Sequence, residues 1–296
     1  DFCLSRGLGD VYKRQEYTLY DQSSNKTFIA KARGIFRNQK TSPKVGDIVE
    51  YTSGNPYATI VKILPRHSDF VRPPIANIDQ AFIVTSVKEP SLNLNLLDRM
   101  ICVFEFQNIL PILVFSKMDL LNDNEKEEVF KKMDYYQTIG YPIIKTTTID
   151  PLTIDKIKPY LKDKTSVITG QSGVGKSSII NLIDETIKMD TAEISKALNR
   201  GKHTTRYTKL FFVENGWLAD TPGFGMVEFF DMDEVSLSHS FIEFFHFSES
   251  CKYSGCLHQN EPSCNVKRKL EEGLILKSRY ENYQQFMNEI KSRRKW

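Results

Sequence analysis

The sequence predicts a multidomain protein in which a small β-barrel, an α/β domain and a C-terminal helical domain follow one another. Short alternating runs broken by glycines fill residues 16–70, and apolar strand-like runs alternate with helix-like runs over residues 78–220. Three cysteines and a histidine then crowd into residues 251–264. The length of 296 residues fits this division, because one domain usually takes ~100–200 residues.

The N-terminal end follows no regular pattern. Residues 1–14 do not resemble the start of a strand or helix, and residues 1–15 lack the basic and then apolar order of a signal peptide. Our hypothesis is that residues 1–14 are a non-native segment; a reread of the genomic DNA that returns the same codons would contradict it. The longest apolar stretches, such as residues 109–115, fall far short of the ~20 residues of a spanning helix, so no transmembrane segment is predicted.

Positive charge is concentrated towards the two ends of the chain. The formal net charge is only +3, yet residues 266–296 hold nine Lys or Arg against four acids, and residues 15–70 carry a smaller surplus. Two basic modules around a near-neutral centre suit a polyanionic partner. Solvated faces of ordinary helices give the same pattern, so charge alone does not decide.

Residues 15–70 predict an OB-type barrel, that is, an oligonucleotide-binding fold. Residues 27–30 and 48–51 alternate apolar and polar side chains, and glycines separate the short strands. Basic side chains and aromatic rings would give this barrel a surface for RNA. The candidates are Lys31, Arg33, Phe36, Arg37, Lys40, Lys44 and Tyr57. The alternative is a structural barrel that contacts no nucleic acid, and residues 72–74 (Arg-Pro-Pro) are interpreted as a linker.

From residue 78 onwards, predicted strands alternate with predicted helices. The segments are residues 81–85, 94–106, 109–115, 124–138, 142–146, 151–161 and 166–169. This alternation predicts a mostly parallel sheet wrapped by helices. Ligands of such sheets bind at the carboxyl ends of the strands, and the motifs described next follow strands in this way.

A phosphate loop is the strongest local motif. Residues 170–177 read G-x-x-x-x-G-K-S, follow the predicted strand 166–169 and open a helix at Lys176. Backbone N–H groups of the loop would surround phosphates, Lys176 would reach the β and γ oxygens, and Ser177 would hold Mg²⁺. The predicted nucleotide-binding residues here are Gly170, Gln171, Ser172, Gly173, Val174, Gly175, Lys176, Ser177 and Ser178.

A second motif, Asp-Thr-Pro-Gly at residues 220–223, follows the predicted strand 217–219. Alone it is merely a turn. Together with the phosphate loop it predicts that Asp220 holds the Mg²⁺ shell and that the Gly223 N–H lies near the γ-phosphate.

A guanine-reading motif ends the predicted strand 109–115. Its members are Ser116, Lys117, Met118 and Asp119. Asp119 would accept hydrogen bonds from guanine N1 and N2, and the Lys117 stem would cover the ring, which selects GTP over ATP. Ser116 replaces the usual Asn or Thr with a shorter hydrogen-bonding side chain, so we expect the guanine preference to survive in weaker form. Residues 146–148 (Thr-Thr-Thr) follow the next strand and predict either another base-contacting loop or a plain surface loop.

The order of these motifs is itself informative. The guanine-reading motif precedes the phosphate loop, whereas ordinary GTPases carry the phosphate loop first. All parts of a GTP site are present but rotated along the chain. The sequence therefore predicts a circularly permuted P-loop GTPase fold.

The cysteine cluster predicts a structural zinc site. Cys251, Cys256, His258 and Cys264 form C-x4-C-x-H-x5-C, which supplies three thiolates and one imidazole on short, turn-rich segments. A full set of four protein ligands leaves no open position for catalysis. Disulfides or loose thiols are the alternative. Cys102 lies in an apolar helix-like stretch and is predicted to be a core residue.

With these motifs the chain resembles the circularly permuted, small-ribosomal-subunit-dependent GTPases of bacteria known as RsgA. The resemblance covers roughly residues 30–285, and its further supports are residues 71–74, 77–79, 96–99 and 201–205. It implies an OB-type RNA-binding barrel (residues 15–70), a permuted GTPase domain (71–230) and a helical zinc domain (231–296). It also implies a cytoplasmic monomer that binds GTP and GDP, the small ribosomal subunit and its rRNA, and acts late in subunit maturation and in the release of assembly factors.

The resemblance also points to a switch at residues 201–205, between the phosphate loop and Asp220. Thr205, or failing that Thr204, would contact Mg²⁺ and be ordered by GTP. Phe224 stands where Ras-like enzymes place a water-orienting glutamine, so intrinsic hydrolysis should be slow. The predicted catalytic residues are His203, Lys176 and Thr205.

Two other functions compete with the ribosome-dependent enzyme. One is a GTP-sensing RNA-binding module with incidental hydrolysis, which no RNA particle would stimulate. The other is a permuted GTPase for the large subunit, against which the barrel and the zinc cluster argue. In the last segment, residues 274–296, an apolar stripe at helical spacing predicts packing, and its basic tip would contact rRNA phosphates or complement the helix C-terminus.

Overall fold

The computed structural model describes most of the chain and divides it into two compact units. The described residues are 3–12, 16–24, 26–34, 36, 41–70, 73–147, 152–190, 209–220 and 228–293. Unit 1 comprises Asp1–Gln80, Pro151–Thr169 and Lys176–Gly225, and unit 2 comprises Ala81–Asp150, Gly170–Gly175 and Met226–Trp296.

A closed five-stranded barrel forms the first part of unit 1. Its strands are β1 (Cys3–Tyr12), β2 (Glu16–Asp21), β3 (Lys26–Ala32), β4 (Ile48–Thr52) and β5 (Ala58–Ile63). They lie in the order β1-β2-β3-β5-β4, and β1 closes the barrel by pairing antiparallel with both β2 and β4. Apolar side chains such as Leu19, Val49 and Ile60 fill its core. The predicted barrel is therefore present.

The barrel begins earlier in the chain than predicted. We expected residues 1–14 to hold no strand, which is wrong, because Cys3–Tyr12 is β1 and completes the barrel. Hydrogen bonding to β2 on one side and to β4 on the other holds this segment as a strand, although its local sequence pattern does not indicate one. The non-native origin of residues 1–14 stays a hypothesis for the DNA reread.

The surface candidates of the barrel differ in their surroundings. Phe36 is buried in the barrel core, so it is not available to stack on a base, contrary to the prediction. Tyr57 is half-buried, and the Lys31 ammonium lies 3.9 Å from its ring centroid. Lys44 donates to the Phe70 carbonyl at 2.9 Å. Arg37 and Lys40 lie outside the described residues.

The segment that follows the predicted linker packs on the barrel. Ile75 and Ala76 are fully buried, and the Ala76 N–H donates to the Val45 carbonyl at 2.8 Å. A Cβ on Gly46, whose φ is +85°, would lie 2.2 Å from the Ala76 carbonyl oxygen, so glycine is required there. The chain is thus fixed against the barrel immediately after the predicted linker, residues 72–74.

Unit 1 also contains part of the α/β domain. Its elements are α3 (Thr153–Leu161), β9 (Thr165–Thr169), α4 (Lys176–Asp190), β10 (Lys209–Val213) and β11 (Gly216–Asp220). The strands lie in the order β10-β11-β9, with β11 parallel to β9. Tyr20 of the barrel packs edge-on against Trp217 at 5.3 Å between ring centroids, which joins barrel and β11 within unit 1.

Unit 2 combines the other α/β elements with the C-terminal helices. Its elements are β6 (Gln80–Ser86, of which Gln80 belongs to unit 1), α1 (Leu94–Phe106), β7 (Leu110–Ser116), α2 (Asp123–Thr138), β8 (Ile143–Lys145), α5 (Glu234–His239), α6 (Ile242–Ser248), α7 (Asn265–Glu271) and α8 (Lys277–Arg293). The strands lie in the order β6-β7-β8, and β7 is parallel to β8. Helix α2 begins with a capping box between Asn122 and Glu125, and Asn93 caps α1.

A buried ionic network joins α1 to the C-terminal helices. The Arg279 guanidinium of α8 donates to Asp98 of α1 at 2.7 Å and to Glu243 of α6 at 2.6 Å, and all three side chains are buried. Tyr136 and Asn282 donate further hydrogen bonds to Asp98. The two carboxylates and the guanidinium thereby satisfy one another away from water.

The last helix confirms the predicted packing stripe. Tyr283, Phe286 and Met287 are fully buried in the core of unit 2. Arg293 donates to Glu289 and to the Phe229 carbonyl, so this part of the basic tip contacts unit 2 itself, while residues 294–296 lie outside the described part. No helix of the described residues combines the length and the apolar character needed to cross a membrane.

Candidate functional site

The phosphate loop follows β9 and runs directly into α4 at Lys176, as predicted. Gly170 has a φ of +144°, and a Cβ there would lie 2.1 Å from the carbonyl oxygen of Val84 on β6. Gly173 and Gly175 have φ values of +80° and +98°. The three glycines adopt backbone that L side chains disfavour, and Gly170 also lets the loop approach β6.

Ser116, the last residue of β7, lies against the phosphate loop. Its side chain is buried, with Oγ 2.6 Å from the carbonyl oxygen of Val174 and 3.2 Å from that of Thr85. The structure therefore brings the guanine-reading motif and the phosphate loop together within unit 2.

The remaining guanine-reading residues form a tight turn after Ser116. Lys117 takes the left-handed conformation, and Met118–Leu120 is a short 3-10 helix with Asp119 exposed. The Met118 N–H donates to the Thr146 carbonyl at 3.1 Å. The loop after β8 thus lies beside this motif, as expected of a base-contacting loop, while Thr148 lies outside the described residues.

Sequence reasoning missed the loop after β6. The Lys117 ammonium donates to the carbonyl of Glu89, and Pro90 Cδ lies 3.8 Å from where a Cβ on Gly173 would be. Lys88 binds both carboxylate oxygens of Glu125 at 2.9 Å, which ties the loop to the start of α2. The position of this loop at the carboxyl end of a strand was the signal that could have identified it.

Lys176 and Asp220 both belong to unit 1, and the charge of Asp220 acts on Lys176. Asp220 is the last residue of β11 and lies level with Ile168 near the end of β9. Burial lowers the pKa of Lys176, and the charge of Asp220 opposes that shift. Ser177 and Ser178 are exposed in the first turn of α4. A half-buried ammonium within the electrostatic influence of a carboxylate suits a site for phosphate oxygens and a divalent cation.

The predicted switch and water-positioning residues fall outside the described part of the chain. His203, Thr204 and Thr205 lie in residues 191–208, and Gly223 and Phe224 lie in residues 221–227.

The four predicted metal ligands converge in unit 2. The ligand atoms of Cys251, Cys256, His258 and Cys264 all lie within 4.8 Å of one another. His258 Nδ1 is 3.4 Å from Cys264 Sγ and 3.8 Å from Cys251 Sγ. A tetrahedral zinc ion with bonds of about 2.1–2.3 Å would hold its ligand atoms about 3.6–3.8 Å apart. The donor set and its spacing therefore fit one such ion.

The protonation of the cluster also depends on a metal. Burial raises the pKa of Cys256 to about 12 and lowers the pKa of His258 to about 4. Without a cation, Cys256 therefore favours the neutral thiol and His258 the neutral imidazole. A bound metal requires thiolates, so its binding would release protons.

Surrounding residues fix the backbone of the cluster. Tyr280 donates to the His258 carbonyl at 2.6 Å, and Tyr283 donates to the Leu257 carbonyl at 2.6 Å. The Asn265 N–H points at Cys251 Sγ at 3.3 Å. Cys251, Cys256, Cys264 and the fully buried Cys102 are free, so the disulfide alternative is not supported among these four.

Comparison with known proteins assigns the family. The family model described as RsgA GTPase matches residues 63–230, and that described as RsgA N-terminal domain matches residues 9–61. The chain belongs to the RsgA GTPase family. Membership makes it a GTP hydrolase and implies a nucleotide with Mg²⁺.

Relatives in the RsgA family align with nearly the whole chain. The small ribosomal subunit biogenesis GTPase RsgA 2 of Oceanobacillus iheyensis is 42% identical over 287 residues, which cover 97% of this chain and 98% of the relative. RsgA of Pediococcus pentosaceus is 45% identical over 272 residues, covering 91% and 88%. RsgA of Bacillus subtilis is 42% identical over 282 residues, covering 94% and 95%.

Solved structures of similar proteins have the same fold. YloQ, described as a circularly permuted GTPase, matches with a TM-score of 0.85 and 36% identity over 99% of this chain and 96% of that one. YjeQ from Thermotoga maritima matches with a TM-score of 0.82 and 33% identity over 97% and 98%. The permuted GTPase fold predicted from the motif order of this RsgA family member is confirmed.

Proposed function

We propose that this GTPase binds the small ribosomal subunit, is stimulated by it, and couples GTP hydrolysis to late subunit maturation and the release of assembly factors. One observation carries the proposal: relatives named small ribosomal subunit biogenesis GTPase RsgA are similar along nearly the full length of both chains. A likeness restricted to the GTPase domain would support GTP hydrolysis alone. Here it includes the regions of the barrel and the cysteine cluster.

The guanine base is assigned to the turn after β7. Asp119 accepts from guanine N1 and N2, and the Lys117 stem covers the ring. The hydrogen bonds of Met118 to Thr146 and of Lys117 to Glu89 hold this turn in place, which supports the assignment. A base site held by two neighbouring loops discriminates by hydrogen bonds that an adenine cannot reproduce.

The phosphates are assigned to residues 170–178. Backbone N–H groups of the loop and the start of α4 surround the β-phosphate, and Lys176 reaches the β and γ oxygens. Ser177, Asp220 and Thr205 hold Mg²⁺, which supplies positive charge to the phosphates during transfer. The burial of Lys176 supports this role, because a partly desolvated ammonium interacts more strongly with phosphate.

The chemical step is assigned to the switch. Thr205, or failing that Thr204, senses the γ-phosphate, and His203 orients the attacking water. Phe224 has no group that could do so, so hydrolysis without the ribosomal particle is slow. General base catalysis of this kind contributes about 10²-fold or more, so His203→Ala should lower kcat by about that factor and leave KM nearly unchanged.

The cysteine cluster is assigned to one structural Zn²⁺. Cys251, Cys256, His258 and Cys264 fill its four positions, so it takes no part in the reaction. It holds the segment between α6 and α7 in one conformation.

The N-terminal and C-terminal domains are assigned to rRNA binding. We propose residues 15–70 as an RNA-binding barrel, residues 71–230 as the GTPase domain and residues 231–296 as the zinc domain. The Lys31–Tyr57 contact offers a cation beside an aromatic ring, a pairing that suits a phosphate next to a base. The protein would act as a cytoplasmic monomer.

Steady-state GTP hydrolysis tests the proposal. It is measured alone, with purified small subunits and with large subunits, using Lys176→Ala as the blank. A large stimulation confined to small subunits is expected. Equal rates in all conditions would contradict the proposal and favour the GTP-sensing RNA-binding module.

A further inference from the structure

We infer that Ser116 is a positioning residue that orients the phosphate loop, and that it does not read the guanine base. The inference rests on the nucleotide site proposed above. Ser116 occupies the first position of the guanine-reading motif, but its side chain is only 4% exposed and its hydroxyl faces the loop.

The Ser116 hydroxyl donates its proton to one acceptor. Ser116 Oγ lies 2.6 Å from the Val174 carbonyl oxygen and 3.2 Å from that of Thr85, and both are acceptors only. A serine has a single proton to donate, and the shorter contact assigns it to Val174. No proton is left for an acceptor on the base.

The anchored carbonyl belongs to the peptide group that presents a phosphate donor. The carbonyl of Val174 and the N–H of Gly175 share one planar trans peptide, so they point in opposite directions. Fixing the oxygen towards Ser116 therefore turns the Gly175 N–H away from Ser116, into the loop. Gly175 has a φ of +98° and no Cβ, so its own conformational preferences would not hold this orientation.

Ser116 is itself fixed by β6 and by Val87, the residue that follows this strand. Its backbone carbonyl accepts from the Val87 N–H at 3.2 Å, and its hydroxyl is in contact with the Thr85 carbonyl. The other end of the loop meets the same strand, where Gly170 approaches the Val84 carbonyl. Both ends of the phosphate loop thus lie against β6, one by the close approach of Gly170 and one through Ser116.

The two roles of Ser116 predict different losses. A base-reading serine would, when removed, lower the preference for guanine over adenine. A serine that orients Gly175 would lower the affinity for nucleotides with a β-phosphate and leave base preference unchanged. GMP lacks the β-phosphate and separates the two cases.

Isothermal titration of the full chain with GDP, GMP and ADP tests the inference. Ser116→Ala should weaken GDP about 10-fold, because a buried carbonyl loses its donor, while GMP affinity and the ratio of GDP to ADP affinity stay within about 2-fold. Ser116→Thr keeps the hydroxyl and should restore GDP affinity. The matched control is Ser166→Ala, which removes another buried serine hydroxyl, bonded to Gln80 at 2.8 Å.

The outcomes are separable. A fall in the ratio of GDP to ADP affinity, or an equal loss for GDP and GMP, would overturn the inference. If the wild type binds GDP and Ser116→Ala binds it equally well, the inference about Ser116 is wrong but the proposed nucleotide site stands. If the wild type binds no GDP, the proposed nucleotide site is wrong as well. Should Ser116→Ala fail to fold, Ser116→Cys gives the same comparison, because a thiol donates only weakly.

Discussion

Position 170 requires glycine for two reasons, its backbone conformation and the lack of room for a Cβ. Its φ of +144° strains any L side chain, and a Cβ would lie 2.1 Å from the Val84 carbonyl oxygen. We expect Gly170→Ala to lower the free energy of unfolding by roughly 3 kcal/mol and to weaken GDP binding. Urea denaturation and GDP titration measure both effects.

Gly140 provides the matched control for this prediction. Its φ is +113°, but nothing lies within 4 Å of a Cβ built there. Gly140→Ala should therefore show only the conformational cost, about 1–2 kcal/mol, with unchanged GDP affinity. Equal destabilisation by the two substitutions would mean that the approach to Val84 is unimportant.

The positions of candidate site residues were predictable where chemistry dictates residue types at fixed spacing. The phosphate loop and the Cys/His cluster belong to this group, because phosphates require backbone N–H groups and zinc requires four ligands. The contact of Ser116 was not predictable, because it joins residues 58 positions apart through a backbone carbonyl. Phe36 was assigned to the surface from its neighbours in sequence, whereas the barrel buries it.

At the scale of elements, the join between α1 and α8 depends on Arg279. Removing its charge leaves the carboxylates of Asp98 and Glu243 buried without a cation. We expect Arg279→Met to lower the free energy of unfolding by about 3–5 kcal/mol, measured by urea denaturation. Lys131→Met, which breaks an exposed pair with Glu127, is the control and should change little. A similar small change for both would contradict a stabilising role of the network.

Most helices and strands of the α/β domain were predicted because their apolar periodicity is local. Helix α1 was predicted at its observed bounds, Leu94–Phe106, and β9 within one residue. Strand β1 was missed because it contains Gly7 and Gly9 and shows no alternation, and its conformation comes from pairing with β2 and β4. Tertiary pairing overrides weak local preference in this way.

At the scale of the whole molecule, the metal cluster should be required for the C-terminal fold. Preparations should carry about one zinc ion per chain by elemental analysis, and Cys264→Ser should lose it. Loss should lower the melting temperature, because the buried ligands then have no cation to bind. Cys102→Ala, which changes a buried cysteine outside the cluster, should retain the metal. A Cys264→Ser chain with full metal content would contradict the assignment.

The motif order predicted the permuted architecture, but not how the chain is shared between the two units. Unit 2 takes residues from the middle and from the end of the sequence, and unit 1 takes the rest. Asp98 and Arg279 contact each other across 181 positions, and periodicity or motif spacing does not reveal such a pair. Separate segments are assigned to one unit only by their packing.

The ionic network also constrains when unit 2 can finish folding during protein synthesis. Helix α1 carries Asp98, yet the cation that neutralises this buried carboxylate is translated 181 residues later. The nascent chain therefore makes β6, β7 and β8 long before unit 2 can close around them. A chain arrested before residue 279 would leave the Asp98 carboxylate of α1 without its cationic partner, on a surface that is buried in the complete protein. We therefore expect chains truncated before residue 279 to leave unit 2 incomplete and open to proteolysis.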